Sequence, residues 1–555
     1  MLFLATFAAM TNIEQAAPVA TQREVPTAPA GNPGGPLARS AAGAGRRALL
    51  CLLTTLVVAC GGGDGGADGA SIPSIASANK CSPDNTLARD AGGNLTGRYA
   101  SGTLADERAF VRSYMDEAYL WYGEVPEVDV SLPTYNATPA QVALAGYFEA
   151  LKTPALTPGN LRKDRFSFTM STAQWNALAQ TGVVGGYGIE WALASATPPR
   201  NARVVYVENG TQAAGAGVAR GDALLQVVVD DVAIDFVNTT DSAQIAKLNE
   251  VIFSPAQGRQ ATFKLRGNDG VERNVALAAS SVTTTPVKQA TVIEAEGGNV
   301  GYLLFNDFIL PGEAQLKSAF ETFRAANISD LVLDLRYNGG GYLFMASQLA
   351  YMIAPAARTA GKTFERSMYS DKRQAASNSS SSNMPFLATS SGVAGTGTLP
   401  NASLPNLALN RVYVLTTAGT CSASESVING LRGIDVEVIV LGSSTCGKPY
   451  GFTAKDNCGI SYFPVEFKGV NEKGFGDFAD GFAPTCAVAD DLDSPLGAQS
   501  EGMLAAALAY RATGSCAPIA AGAAARAKEG DATRASLFEG TVVRPPVRSN
   551  KFLMD

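Results

Sequence analysis

The run Leu331-Val332-Leu333-Asp334-Leu335 passes through Arg336-Tyr337-Asn338 into three consecutive glycines, Gly339 to Gly341, and then into an apolar helical stretch, Tyr342 to Ile353. Strand, tight turn and helix in that order make a unit that buries its apolar faces by packing beside others of its kind. Two more follow: the strand Val412–Leu415 with the turn Cys421-Ser422 and a helix to about Arg432, then the strand Val436–Leu441 with the loop Gly442–Lys448. From Val300 onward strands alternate with helices, which predicts an α/β region with parallel strands. In such sheets, sites form in the crevice outside the carboxyl ends of the strands. The glycine loop, Ser422 and Lys448 each follow a strand end, so all three are expected along one edge of the sheet. The 26 positions from Ser422 to Lys448 are about what a turn, a helix and a returning strand consume, and one right-handed crossover brings the two residues together.

The chemistry open to that edge is narrowed by composition. The chain has no histidine, which removes Ser-His and Cys-His couples, HExxH zinc sites and imidazole acid-base roles together. A serine then needs a lysine, a carboxylate or a terminal amine as base, and a lysine serves only when neutral. Lys448 sits between Gly447 and Pro449-Tyr450-Gly451-Phe452, with little charge to hold an ammonium, whereas Lys455, Lys468 and Lys473 have polar or acidic neighbours. The N–H of Ala423 at a helix start and that of Gly340, where a glycine admits close approach, are candidate oxyanion donors. A structural reading stands beside this one. Ser422-Ala423-Ser424-Glu425 also fits S-x-x-E, a capping box that only satisfies helix N–H groups. The glycine loop lacks the GK[ST] of a phosphate cradle. No cofactor or metal is expected, since no CxxC spacing occurs. A net charge of −7 gives no reason to expect nucleic acid as a partner.

The flanks place the chain in the cell. Arg46-Arg47 precedes the apolar run Ala48 to Ala59, too short to span a bilayer comfortably, which ends at Cys60 before Gly61-Gly62-Gly63. This is the pattern of a secretory signal, and Leu56-Val57-Val58-Ala59-Cys60 resembles a bacterial lipobox, in which the cysteine is acylated. Residues 1–60 are read as a leader and 61–104 as a flexible tether, rich in Gly, Ala and Ser at its start. The expected location is the bacterial cell envelope, with the membrane a partner through a lipid on Cys60. Apart from Cys51 and Cys60, six cysteines remain: Cys81, Cys421, Cys446, Cys458, Cys486 and Cys516. In an exported protein they can form disulfides.

Residues 105–182 show helical spacing in Phe110, Val111, Tyr114, Met115 and Ala118, and a helical region is expected there. Residues 183–283 hold short strand-like runs. In them the turn Gly186-Tyr187-Gly188-Ile189 resembles the carboxylate-binding loop of a PDZ domain, and Gly215-Ala216-Gly217-Val218 with Gly221-Asp222 resembles its later helix and turn. That likeness implies binding of peptide C-termini by strand addition. Residues 284–515 form the expected core, with a surface insertion near 371–405, and 516–555 an unassigned tail.

Together, Asp334 to Gly341, Cys421-Ser422-Ala423-Ser424-Glu425 and Gly447-Lys448 resemble the three core motifs of the carboxyl-terminal processing peptidases, or tail-specific proteases. The likeness covers about residues 105–515. It implies a multidomain α/β protein: a helical N-terminal region, a PDZ-like β domain and an α/β protease core with a parallel sheet. It also implies Ser422 as nucleophile, Lys448 as general base, Glu425 in support, and Gly340 with Ala423 as oxyanion donors. The chain departs from the family in carrying Phe452 where many members have a glutamine four residues after the lysine. A Cys421–Cys446 disulfide would pin the two catalytic loops together. The other readings are a catalytically silent peptide-binding lipoprotein and a hydrolase of another acyl substrate.

Overall fold

The computed structural model of the chain describes residues 73–195, 197–253, 255–392, 400–516, 541–543 and 551–553. The expected leader, the expected lipid site Cys60 and the first part of the tether lie outside the described residues.

The core is a six-stranded sheet in the order 287–293, 300–305, 330–334, 411–416, 437–442, 486–487. Its first pair is antiparallel and the others are parallel. Strands 300–305 and 330–334 are buried at every residue, as a sheet covered on both faces requires. Alternate residues serve the two faces. Leu303, Phe305, Leu331, Leu333, Val414 and Val440 pack with the helices Gly312–Ala325, Leu343–Ile353 and Ala423–Gly433. Tyr302, Leu304, Val332, Tyr413, Leu415 and Ile439 pack against Met503, Leu504 and Ala507 of the helix Gly502–Thr513.

Strands 189–193, 202–207, 223–229, 260–266 and 272–278 build a second, antiparallel sheet, with 232–235 paired to 223–229 and the helix Ser242–Phe253 against it. Helices Leu104–Ala118 and Ala140–Ala150 form a third cluster that also takes in Cys421, Tyr450 and Tyr462 of the core. The N-terminal region is not purely helical: its strand Phe168–Ser171 pairs with Ile460–Phe463.

The expected tether differs from the fold. From residue 73 it lies against the body, because Cys81 is bonded to Cys458 and the buried Glu107 carboxylate accepts Ser82 N–H and Asn85 Nδ2–H, each at 2.8 Å. Burial raises that carboxyl to about 7. Of the insertion near 371–405, the strand Asn383–Pro385 pairs with Thr363–Tyr369 and extends a small sheet rather than standing off the surface. Among the described residues no helix is long and apolar enough to cross a membrane.

Candidate active site

Three strand ends supply the site. The strand 330–334 runs into Asn338, whose side-chain N–H donates to Phe305 O at 2.9 Å while its carbonyl O accepts Cys421 N–H and Ser424 Oγ–H, both at 3.0 Å. These bonds hold the glycine loop against the serine turn. Gly341 has φ +142°, and a Cβ there would sit 2.2 Å from Phe308 O, so only glycine fits.

Ser422 is fully buried and has φ +60° and ψ −117°, an unusual backbone for an L-residue. Strain of that kind needs surroundings that enforce it. Its Oγ makes no hydrogen bond, and it is placed at the N-terminus of the helix Ala423–Gly433. Glu425 does reach back to the Ser422 N–H, at 2.9 Å, as a capping box would. It does more than cap. Its carboxylate also accepts Thr445 Oγ1–H at 2.6 Å and the N–H groups of Gly447 and Lys448, both at 2.8 Å. Burial raises its pKa, opposed by these same hydrogen bonds. One side chain thus ties the serine turn to the lysine loop, and the Cys421–Cys446 disulfide ties them a second time. Cys421, Glu425 and Cys446 lie together, but the two sulfurs are bonded to each other and present no thiolate to a metal.

Lys448 is fully buried, its Nζ 4.1 Å from the centre of the Phe452 ring and 5.5 Å from that of Phe166. Burial lowers its pKa well below the ordinary value of 10.5, although the carboxylates of Asp164 and Glu425 act the other way. Phe452, the departure from the family pattern, is therefore a wall of the amine's apolar pocket. Arg165 holds the lysine loop from outside, donating to the carbonyls of Cys446 at 2.7 Å and Ala479 at 3.0 Å.

The structure brings Ser422, Glu425, Lys448, Ala423 and the glycine loop together. Ala423 N–H is among the first N–H groups of a helix, which have no carbonyl within it to bond. Gly340 N–H, by contrast, donates to Asn338 Oδ1 at 2.9 Å, so it is spent inside its own loop. Gly186, Tyr187, Gly188 and Ile189 lie in the second sheet's domain, where Tyr187 joins that domain's core. Gly188 has φ +79°, and a Cβ there would collide with Thr211. Asp164, Arg165 and Phe166 carry no motif. They lie more than 250 positions before the loop they touch, and only folding reveals them.

Residues 299–455 match the family model of peptidase family S41, and residues 106–168 that of the peptidase S41 N-terminal domain. Over these two stretches the chain is similar to peptidase family S41. Over 167 residues the chain is 29% identical to carboxyl-terminal-processing peptidase 2, chloroplastic, of Arabidopsis thaliana, a match spanning 29% of this chain and 30% of that relative's length. It is similar to a crystal structure described as an S41 protease from Bacteroides fragilis, with 25% identity and a TM-score of 0.52, covering 76% of this chain and 99% of the other. A photosystem II D1 C-terminal processing protease is 17% identical, with a TM-score of 0.40, over 70% of this chain and 93% of that one.

Proposed function

We propose that this chain is a serine endopeptidase of the C-terminal processing type, with Ser422 as nucleophile and Lys448 as general base. The observation that carries the reading is a desolvated Lys448 amine on a loop that Glu425 ties to the Ser422 N–H. The neutral amine takes the Oγ proton as Oγ adds to the peptide carbonyl carbon. The oxyanion that forms faces the Ala423 N–H at the helix N-terminus. A second donor, Gly340 N–H, becomes available once it leaves Asn338 Oδ1. The ammonium then protonates the departing amine, and water, activated by the same lysine, releases the acyl group.

The domain of strands 189–278 is, on this reading, a PDZ domain, with the backbone N–H groups of Gly186–Ile189 holding a substrate carboxylate. A peptide with a free C-terminus should then show a lower KM than its amidated form, with kcat little changed. For both peptides kcat/KM should rise with pH, because only the free amine works, and level off at a pKa well below 10.5. Phe452→Gln, which places an amide beside Nζ, should move that limb to higher pH. A profile without a limb between about pH 5 and about 10 counts against Lys448 as the base.

The location is proposed on two grounds: three disulfides, Cys81–Cys458, Cys421–Cys446 and Cys486–Cys516, fit an oxidising compartment, and the sequence ending at Cys60 resembles a lipobox. In a bacterial host the full chain should partition into the detergent phase and Cys60→Ser into the aqueous phase. Equal partitioning of the two removes the anchor.

A further inference from the structure

Two strand edges near the proposed binding and catalytic sites are covered by the chain's own C-terminal segment. The strand Ile189–Leu193 pairs on one side with 202–207; on its other side lies Thr541–Val543, antiparallel, with Thr541 opposite Leu193 and Val543 opposite Trp191. The added strand therefore runs toward the Gly186–Gly188 end. Beside this edge is a cleft lined by Trp191, Leu193, Ile245, Leu248 and Ile252, between the strand and the helix Ser242–Phe253.

The strand Gly340–Tyr342 is similarly flanked. On one side Phe308 N–H donates to Gly340 O at 3.0 Å and Tyr342 N–H donates to Phe308 O at 2.8 Å. On the other lies Lys551–Leu553, parallel, with Lys551 opposite Gly340 and Phe552 opposite Gly341. That last strand also lies close to Tyr450–Gly451, which follow Lys448. The docked segment thus reaches both the glycine loop and the lysine loop.

We propose that the strands 541–543 and 551–553 are a built-in plug of the protease: they fill in cis both edges that an extended peptide substrate uses, and hydrolysis requires their release. This rests on the reading of those edges as substrate sites. Chain direction marks the segment as a plug rather than a substrate captured by its end. A peptide held by its C-terminus at Gly186–Ile189 presents residues upstream of that end to Ser422. The tail docks in the opposite order, its earlier strand on the β domain and its later strand at the glycine loop. Tethering gives it a high effective concentration at both edges without tight intrinsic binding.

The test uses the full chain with Val542→Pro, Val543→Pro, Phe552→Pro and Leu553→Pro together. Successive N–H groups point to opposite sides of a strand, so adjacent prolines remove at least one ladder bond at each site. Amide exchange at Ile189–Leu193 and Gly340–Tyr342 should quicken, and kcat/KM on a peptide should rise about tenfold or more, as the fraction of open protein grows. A synthetic peptide of residues 541–553 added to the variant should inhibit it competitively. Unchanged exchange at both strands overturns the plug, whether or not peptides are cut. So does faster exchange when both proteins cut the peptide and the variant cuts it no faster than the unaltered chain. Faster exchange with no hydrolysis by either protein keeps the docked segment and removes the peptidase reading instead.

Discussion

Lys448→Met should abolish peptide hydrolysis, a loss of about 10³-fold or more, while the protein stays folded. Methionine keeps an unbranched stem of similar length in the pocket of Phe452 and Phe166 and deletes only the amine. Ser422→Ala should match it in rate. Its effect on stability should be within about 0.5 kcal/mol, because Ser422 Oγ makes no hydrogen bond and its removal leaves no partner unsatisfied. The check is peptide cleavage followed alongside thermal melting. A Lys448→Met protein retaining a tenth or more of the rate would mean that another group serves as base. The pairing of the two variants matters: residues acting as one unit fail together, and the double variant should be no slower than either single one.

The second large effect concerns Arg336, which is fully buried two residues before the glycine-loop asparagine Asn338. Its Nε donates to Asp334 Oδ1 at 2.9 Å, Nη1 to Glu501 Oε1 at 2.6 Å and Asp490 Oδ1 at 2.9 Å, and Nη2 to Glu501 Oε2 at 3.0 Å. Burial alone would discharge it, but the three carboxylates outweigh burial and hold its pKa above the usual arginine range. Arg220 of the β domain joins the same network through Asp490, at 2.7 Å, and through Tyr337 Oη, at 2.6 Å. Arg336→Met would strand Asp334 and Glu501 without their cation. A buried pair broken from one side costs about 3–5 kcal/mol, and the loss should appear as a lower melting temperature. Activity should fall as well if the unpaired carboxylates displace this segment, whose backbone carbonyl at Arg336 accepts Thr417 Oγ1–H ahead of the serine turn. A variant as stable as the unaltered chain would show that the carboxylates find other partners or take up protons.

Much of the core could be read from the chain. Val300–Phe305, Asp330–Asp334, Arg411–Thr416 and Glu437–Gly442 stand out as short apolar runs because parallel strands covered on both faces leave almost no room for polar residues. The interval from Ser422 to Lys448 spans one helix and one strand, so local periodicity carried their juxtaposition. The fold of residues 73–104 was not legible: their polar, Gly-rich composition reads as linker, and the contacts that order them, Cys81 with Cys458 and Ser82 with Glu107, are distant partners that no local pattern names. Phe452 shows the limit from the other side. In sequence it is a missing glutamine, and in space it is a wall beside the amine.

From the order of residues alone come the exclusion of histidine chemistry and the candidates Ser422 and Lys448. The tertiary structure decided the environment on which their chemistry depends. Lys448 loses its solvent to Phe166 and Phe452 from different parts of the chain, Glu425 receives four hydrogen bonds from two loops, and Gly340 N–H is taken by Asn338. Residue identity sets which protons can move. Which of them do is set by burial and hydrogen bonding, and these arise only when segments remote in sequence pack together.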